Sequence, residues 1–180
     1  MNAFVDCGAF RGKALGWARK KYPGYKLYAF ECNPKLSKEY GNDVISYSKA
    51  CWINNGQLRF YMNLKHPTIE GHSVYKNKTT GNLDREHPVI VECIDFSSWL
   101  MNNFNANDNI IVKMNIEGAE YDVLEHCLDI GSIKIIKELY IQWHHKKIPG
   151  FENRHSNLMT RLNKVESLKV FHGYGSLRVK

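Results

Sequence analysis

The chain has 180 residues, 43% of them hydrophobic and 24% charged, and its formal net charge is +7 at pH 7. This length and composition predict one globular domain over residues 1–180, and no apolar run approaches the roughly 20 residues that cross a bilayer, which excludes a helical membrane protein. The positive charge permits a polyanionic partner such as nucleic acid but does not specify one, because the lysines and arginines are scattered along the chain.

The cysteines bear on the compartment of the protein. There are five, at positions 7, 32, 51, 93 and 127, and none forms a C-x-x-C pair. An odd number without that pair predicts reduced thiols rather than a disulfide framework or a zinc site, and we expect no metal ion. The first predicted strand begins at the N-terminus and leaves no room for a signal peptide, so a cytoplasmic location is expected.

The first motif along the chain is a strand, a glycine turn and a helix. Phe4 and Val5 end a short apolar run, Gly8 and Gly12 bracket the turn, and residues 13–21 are predicted to form a helix with one apolar side. In this arrangement, backbone N–H groups and the N-terminus of the helix approach a polar ligand closely.

An acidic residue follows the glycine turn at the spacing typical of a nucleoside-binding site. A second predicted strand over 26–30 ends in Glu31, about twenty residues after the turn, where an acid typically binds the hydroxyls of a ribose. Asp6 stands where a dinucleotide fingerprint needs glycine, and its carboxylate would repel a pyrophosphate but attract a cation. S-adenosylmethionine carries a sulfonium, an ammonium and a ribose, so it fits this pattern better than a nicotinamide or flavin nucleotide. The alternative is that Asp6 and Glu31 only cap helices.

The rest of the chain alternates predicted strands and helices. Further strands are expected over 44–47, 57–62, 89–94, 110–114, 135–143 and 168–171, and further helices over about 34–40, 95–103, 119–128 and 152–165. The turn at residues 54–56 predicts that 57–62 returns as a hairpin strand, and 177–179 is expected to close a final antiparallel hairpin. The polar segment 63–88 has no clear periodicity and is interpreted as a substrate lid, to which His72 could contribute.

Strands that alternate with helices favour an α/β fold whose sheet is mostly parallel, with helices on both faces. In such sheets, ligands bind beyond the carboxyl ends of the strands. Five polar or reactive residues fall near predicted strand ends and are expected around one pocket: Asp6, Glu31, Cys51, Asn115 and His144.

Three sequence blocks resemble the signature blocks of FkbM-type methyltransferases. They read VDCGAFRG at 5–12, AFECNP at 29–34 and IVKMNIEGAE at 111–120. The resemblance implies a Rossmann-like class I methyltransferase fold with a seven-stranded sheet, S-adenosylmethionine as cofactor, and O-methylation of a sugar, nucleoside or other small hydroxylated acceptor. Asn115 stands where the family usually has aspartate, and Gln142 near where it tends to have an acid. Both departures remove charge, which argues against a metal-dependent or carboxylate-base mechanism.

The expected cofactor contacts are Asp6, Gly8, Phe10, Gly12, Glu31, Asn33, Cys51 and Asn115. Methyl transfer needs alignment of the acceptor and exclusion of water, and a hydroxyl acceptor also benefits from a general base. The catalytic candidates are His144, Glu117 and Lys113. The alternative interpretations are a solvent-facing His144, a Glu117 that caps the next helix, and a Lys113 paired with Glu120 or Asp95.

Two other functions stay open at this point. The positive charge is compatible with an RNA methyltransferase, whose binding would weaken steeply with rising salt. The neutral Asn115 and Gln142 are compatible with a cofactor-binding subunit that has lost catalysis. The sequence does not indicate an oligomeric state.

Overall fold

A computed structural model describes residues 1–36 and 39–173 of the chain. Its strands are β1 (Asn2–Cys7), β2 (Lys26–Phe30), β3 (Val44–Tyr47), β4 (Ala50–Trp52), β5 (Gly56–Phe60), β6 (Val89–Asp95), β7 (Asn109–Met114), β8 (Ile136–Ile141) and β9 (Lys169–His172). Its helices are α1 (Lys13–Lys21), α2 (Phe96–Asn103), α3 (Glu120–Ile130) and α4 (Phe151–Leu162), with short 3-10 turns at Ser132–Ile135 and His145–Lys147.

The central sheet has six strands in the order β3-β2-β1-β7-β8-β9, and every neighbouring pair is parallel. The chain runs outward from β1 to β3 on one side, then crosses back to β7 on the other side of β1. This reversal opens a crevice beyond the carboxyl ends of β1 and β7, where parallel sheets bind their ligands. The predicted α/β class and the mostly parallel sheet are confirmed.

Side chains of β1 alternate between two packed faces of this sheet. Ala3, Val5 and Cys7 pack in the cluster that contains the apolar residues of α2, α3 and α4, whereas Phe4 packs in the cluster that contains those of α1. A strand buried on both faces is the expected result when helices cover both sides of a parallel sheet. No helix within 1–36 or 39–173 is long and apolar enough to cross a membrane.

A second, three-stranded sheet has the order β4-β6-β5, with β4 parallel and β5 antiparallel to β6. The predicted return of 57–62 as a hairpin strand is therefore wrong, because β4 and β5 lie on opposite sides of β6. The turn at 54–56 does reverse the chain. However, Cys93 pairs with Ala50 on one side and with Gly56 on the other, so β6 inserts between the two strands.

Two predictions fall at the gaps of the described chain. Residues 34–36 form a turn and no helix is present in 39–40, whereas the middle of the predicted helix 34–40 lies outside the described residues. Near the C-terminus, β9 joins the edge of β8 as a parallel strand. The expected partner of its hairpin, 177–179, lies outside the described residues. In the part of the chain that the structure describes, the central sheet has six strands and not the expected seven.

Candidate active site

A cavity of about 450 Å³ lies beyond the carboxyl ends of β1, β2 and β7. Its wall is formed by the loop after β1, the end of β2, the residues before and within β4, residues 69–74, and the loop after β7. The predicted site residues that line it are Gly8, Phe10, Glu31, Asn33, Cys51, Lys113, Asn115 and Glu117. Three other predicted site residues are not among the described residues that line it: Asp6, Gly12 and His144.

The loop after β1 is pressed against the ends of two neighbouring strands. The N–H groups of Gly8 and Ala9 both donate to the carbonyl of Phe30, at 2.9 and 3.0 Å. Gly8 has a φ of +77°, and a Cβ there would lie 2.1 Å from the carbonyl oxygen of Asn115. Only glycine is compatible with both this backbone conformation and this close approach.

Gly12 lies at the start of α1, outside the cavity wall, and its contact with the cofactor stays a prediction. It caps the N-terminus of α1 in a left-handed conformation, with a φ of +73°. A Cβ at this position would lie 2.9 Å from the ring of Tyr40, whose hydroxyl donates to the carbonyl of Phe10 at 3.0 Å. Gly12 therefore lets the glycine turn pack against Tyr40 instead of lining the cavity.

Glu31 is a fixed carboxylate at the cavity wall. One oxygen accepts the N–H of Phe10 at 2.9 Å and the other accepts the N–H of Asn33 at 2.8 Å. The residue is only 9% exposed, so its position is set by these bonds and by packing. Because each carboxylate oxygen can accept more than one hydrogen bond, Glu31 can also receive donors from a ligand.

Asp6 lies behind the wall, in contact with Lys113. Its side chain is fully buried, and the Lys113 ammonium lies 2.8 Å from Oδ1 and 2.7 Å from the carbonyl oxygen of Gly8, to which it donates. Burial raises the pKa of Asp6, and the charge of Lys113 and its hydrogen bond partly offset that rise. Lys113 therefore lines the cavity, while Asp6, its ion-pair partner, does not.

The partners that the sequence proposed for Lys113 have other contacts. Asp95, where the predicted helix 95–103 begins, caps α2 by accepting the N–H of Ser98 at 2.9 Å. Glu120 contacts His144. Lys113 forms its ion pair with Asp6, the opposite residue in the register of β1 and β7.

The side chain of Asn115 has a hydrogen-bond acceptor that receives no hydrogen bond from the described residues. Its Oδ1 is buried and has no hydrogen-bond partner among the residues that the structure describes, although the residue lines the cavity. A buried oxygen left in this way costs free energy until a donor reaches it. The position therefore fits the ammonium or hydroxyl of a ligand.

Cys51 borders the cavity from β4. Burial raises the pKa of its thiol well above the usual range, and a hydrogen bond with Cys7 adds to the effect. The neutral thiol, together with Phe30 and Ala50, gives this part of the wall an apolar character suited to a flat aromatic base.

Glu117 lines the cavity from the loop between β7 and α3. Its Oε2 lies 2.9 Å from the Lys78 ammonium and 3.4 Å from Nε2 of His144. Burial alone would raise the pKa of Glu117, but the contacts with His144 and Lys78 outweigh it and lower the pKa to about 2. The carboxylate is thus ionised at neutral pH. Its backbone has a φ of +56°, a conformation that residues other than glycine rarely adopt.

His144 is buried between two carboxylates. Its Nδ1 lies 2.8 Å from Glu120 Oε1, and only 1% of its surface is exposed. Burial disfavours the charged ring, yet the bonds to Glu117 and Glu120 raise its pKa to about 9. The interpretation of His144 as solvent-facing is wrong. In its protonated state the ring has no lone pair with which to take a proton from an acceptor, and the role of His144 as a general base stays a prediction.

Segment 63–88 contributes residues that the motifs did not reveal. His72 lines the cavity, but its Nδ1 receives the N–H of Asn63 and its Nε2 lies 3.1 Å from the carbonyl oxygen of Pro67, so both ring nitrogens are used within the segment. Lys78 is fully buried and was missed, because a single lysine in a polar stretch carries no local signal for burial.

These features are typical of α/β proteins that bind a nucleoside ligand: a cavity at the strand reversal, a close glycine turn, and a fixed acid at the end of the second strand. The sequence model of the methyltransferase FkbM domain matches residues 6–170 of the 180-residue chain. The chain therefore belongs to the FkbM methyltransferase family, as the three sequence blocks predict. A comparison with curated proteins gave no match, and neither did a comparison with solved structures.

Proposed function

We propose that this protein is an S-adenosylmethionine-dependent methyltransferase that O-methylates a sugar, a nucleoside or another small hydroxylated acceptor. Membership of the FkbM family supports the methyl transfer. The cofactor assignment rests on one observation, the meeting of the fixed Glu31 carboxylate and the unpartnered Asn115 oxygen in the same cavity.

The residues of the wall fit the parts of this cofactor. Glu31 would accept the ribose hydroxyls, and the apolar surface around Cys51 would cover the adenine. Asn115 Oδ1 would accept the α-ammonium group, while Lys113 would balance the α-carboxylate. When bound, S-adenosylmethionine supplies a methyl group already activated by its sulfonium.

The acceptor would lie toward Glu117. The ionised carboxylate can accept a hydrogen bond from the acceptor hydroxyl and direct the oxygen lone pair toward the methyl group. With a pKa of about 2, Glu117 is a weak base at neutral pH, so orientation is its main contribution. Residues 69–72 and Val74 line the cavity, and we propose that segment 63–88 acts there as a lid that excludes water.

Calorimetric titration with S-adenosylmethionine tests the cofactor assignment directly. We expect one site per chain, and absence of binding would overturn the proposal. The acceptor class is tested by supplying a labelled methyl donor with separate pools of monosaccharides, nucleosides and RNA. Transfer to a small hydroxylated compound supports the proposal, whereas cofactor binding without transfer to any pool supports an inactive subunit.

A second candidate, RNA methylation, is favoured by one feature of the cavity. Arg11, Lys13 and Lys49 all lie in its wall, on a chain with a net charge of +7. Contacts between such side chains and phosphates are weakened strongly by salt. RNA binding that falls steeply with salt, together with label in the RNA pool, would favour this candidate over a small acceptor.

A further inference from the structure

Four charged side chains form a continuous buried row beside the cavity: Lys78, Glu117, His144 and Glu120. Lys78 contacts Glu117 at 2.9 Å, Glu117 contacts His144 at 3.4 Å, and His144 contacts Glu120 at 2.8 Å. The signs alternate along the row, so its charges cancel. Within the row, Glu117 is the member that also lines the cavity.

Lys78 is the only member of the row that comes from segment 63–88, and none of its surface is exposed. Its ammonium also donates to the carbonyl of Gly71 at 2.5 Å, and Gly71 lines the cavity. One buried ammonium thus connects a carboxylate on the loop after β7 with the covering residues 69–74. Lysine is rarely buried to this extent without a specific partner.

The same segment is attached to neighbouring elements by further bonds. The hydroxyl of Ser73 donates to the carbonyl of Glu117 at 2.7 Å, and the N–H of Thr79 donates to the carbonyl of Lys147 at 2.8 Å. These bonds hold the backbone of the segment, whereas Lys78 acts on the Glu117 side chain itself. Removing the ammonium would leave His144 as the one remaining cation of the row beside that carboxylate.

We propose that Lys78 is a positioning residue for the acceptor side of the site: it fixes the Glu117 carboxylate at the cavity wall and holds residues 69–74 over it. This inference rests on the proposed function. It predicts a division of effects, because Glu31 is anchored by the N–H groups of Phe10 and Asn33, whereas Lys78 contacts Glu117 and Gly71. Loss of Lys78 should disturb methyl transfer while leaving cofactor affinity in place.

The test compares Lys78→Met with Lys76→Met. Lys76 lies in the same segment but is exposed and pairs with Glu86 on the surface, so it is a matched control. With S-adenosylmethionine and pools of monosaccharides and nucleosides, we expect Lys78→Met to lower transfer at least tenfold and to change cofactor affinity less than twofold. Amide hydrogen exchange across residues 71–79 should accelerate at least tenfold. Lys76→Met should match the wild type in all three measurements.

The double variant Lys78→Met/Glu117→Gln separates positioning from a purely structural role. It removes one charge of each sign, so we expect thermal stability to recover toward the wild-type value while transfer stays low. Recovery of transfer together with stability would overturn the proposal, because the row would then serve the fold alone.

The failure of this inference differs from failure of the proposed function. If the wild type binds no S-adenosylmethionine, the cofactor assignment falls, and the positioning role falls with it. If the wild type binds the cofactor but no pool is methylated, hydrogen exchange decides. Equal exchange across 71–79 in Lys78→Met and wild type would overturn the role of Lys78, and faster exchange in the variant would support it.

Discussion

The two sides of the cavity are built from different kinds of interaction. On the cofactor side, the N–H groups of Gly8, Ala9, Phe10 and Asn33 bond to Phe30 and Glu31, which are near them in sequence. On the acceptor side, charged side chains from residues 78, 117, 120 and 144 meet in a buried row. The structure of the cofactor side therefore depends on which residue the backbone can accommodate at positions such as Gly8. The structure of the acceptor side depends on the charge of each residue in the row, and therefore on pH.

The strongest test of the cofactor side is Gly8→Ala. The new Cβ would lie 2.1 Å from a backbone oxygen of Asn115 at a φ of +77°, so the loop must move. We expect no measurable binding of S-adenosylmethionine and a loss of more than about 2 kcal/mol in the free energy of unfolding. Calorimetry and urea denaturation give the two values. Gly16→Ala is the control, because its Cβ meets nothing within 4 Å and alanine in a helix should add up to about 1 kcal/mol. Normal binding by Gly8→Ala would show that the close approach is not required.

Asp6→Asn asks whether Asp6 belongs to the ligand or to the fold. The change leaves the buried Lys113 ammonium without its carboxylate, so we expect the free energy of unfolding to fall by about 3–5 kcal/mol in urea denaturation. Asp43→Asn removes an exposed carboxylate that pairs with Arg19 and should have little effect. Unchanged stability with weaker cofactor binding would instead make Asp6 a direct cofactor contact, as the sequence predicts.

The acceptor side should carry a pH dependence that originates at His144. Its pKa is raised from 6.5 to about 9 in the fold, so its contribution to stability is complete below pH 6.5 and is lost as the pH rises through about 9. The linkage amounts to at most about 3 kcal/mol. Urea denaturation across this range measures the loss, and imidazole carbon resonances assign it to the residue. His72 is an internal control, because burial lowers its pKa and its resonance should stay constant. A His144 resonance that titrates near 6.5 would contradict the buried row.

The smallest expected effect is that of Glu31→Gln on the binding of the cofactor ribose. Glu31→Gln keeps the size of the side chain, but the amide oxygen can accept only one of the two N–H bonds from Phe10 and Asn33. We expect binding of S-adenosylmethionine to weaken about tenfold, or roughly 1.4 kcal/mol, with the fold retained. Glu86→Gln, at an exposed position, serves as the control.

A 2′-deoxyribose analogue of the cofactor sharpens the test of Glu31. If Glu31 binds the ribose hydroxyls, the analogue should bind more weakly to the wild type but lose little further affinity in Glu31→Gln. Independent, additive losses would show that Glu31 supports the loop without touching the ribose.

Local signals in the sequence predicted many elements closely. The bounds of α1, β2 and β3 agree with the prediction, and α2 begins one residue after the predicted start at 95, because apolar periodicity and capping residues act within a few positions. The hairpin prediction failed because the turn at 54–56 fixes a reversal but not the partner of each strand. That partner, β6, comes more than thirty residues later.

The candidate site divides in the same way. Glu31 and Gly8 were predicted from their spacing and are at the cavity wall. The pairing of Asp6 with Lys113 and the burial of His144 were not predicted. Ionisable residues look alike in sequence whether they face a ligand, solvent or another charge.

The sequence by itself determined the family, the alternation of strands and helices, and the glycine and acid that lie at the cofactor side, because these depend on spacing within short segments. Only the tertiary structure decided which charges meet. Lys78 and His144 approach Glu117 because the crossover to β7 and the packing of segment 63–88 bring distant positions together. The environment created there, not the residue types, sets their protonation states.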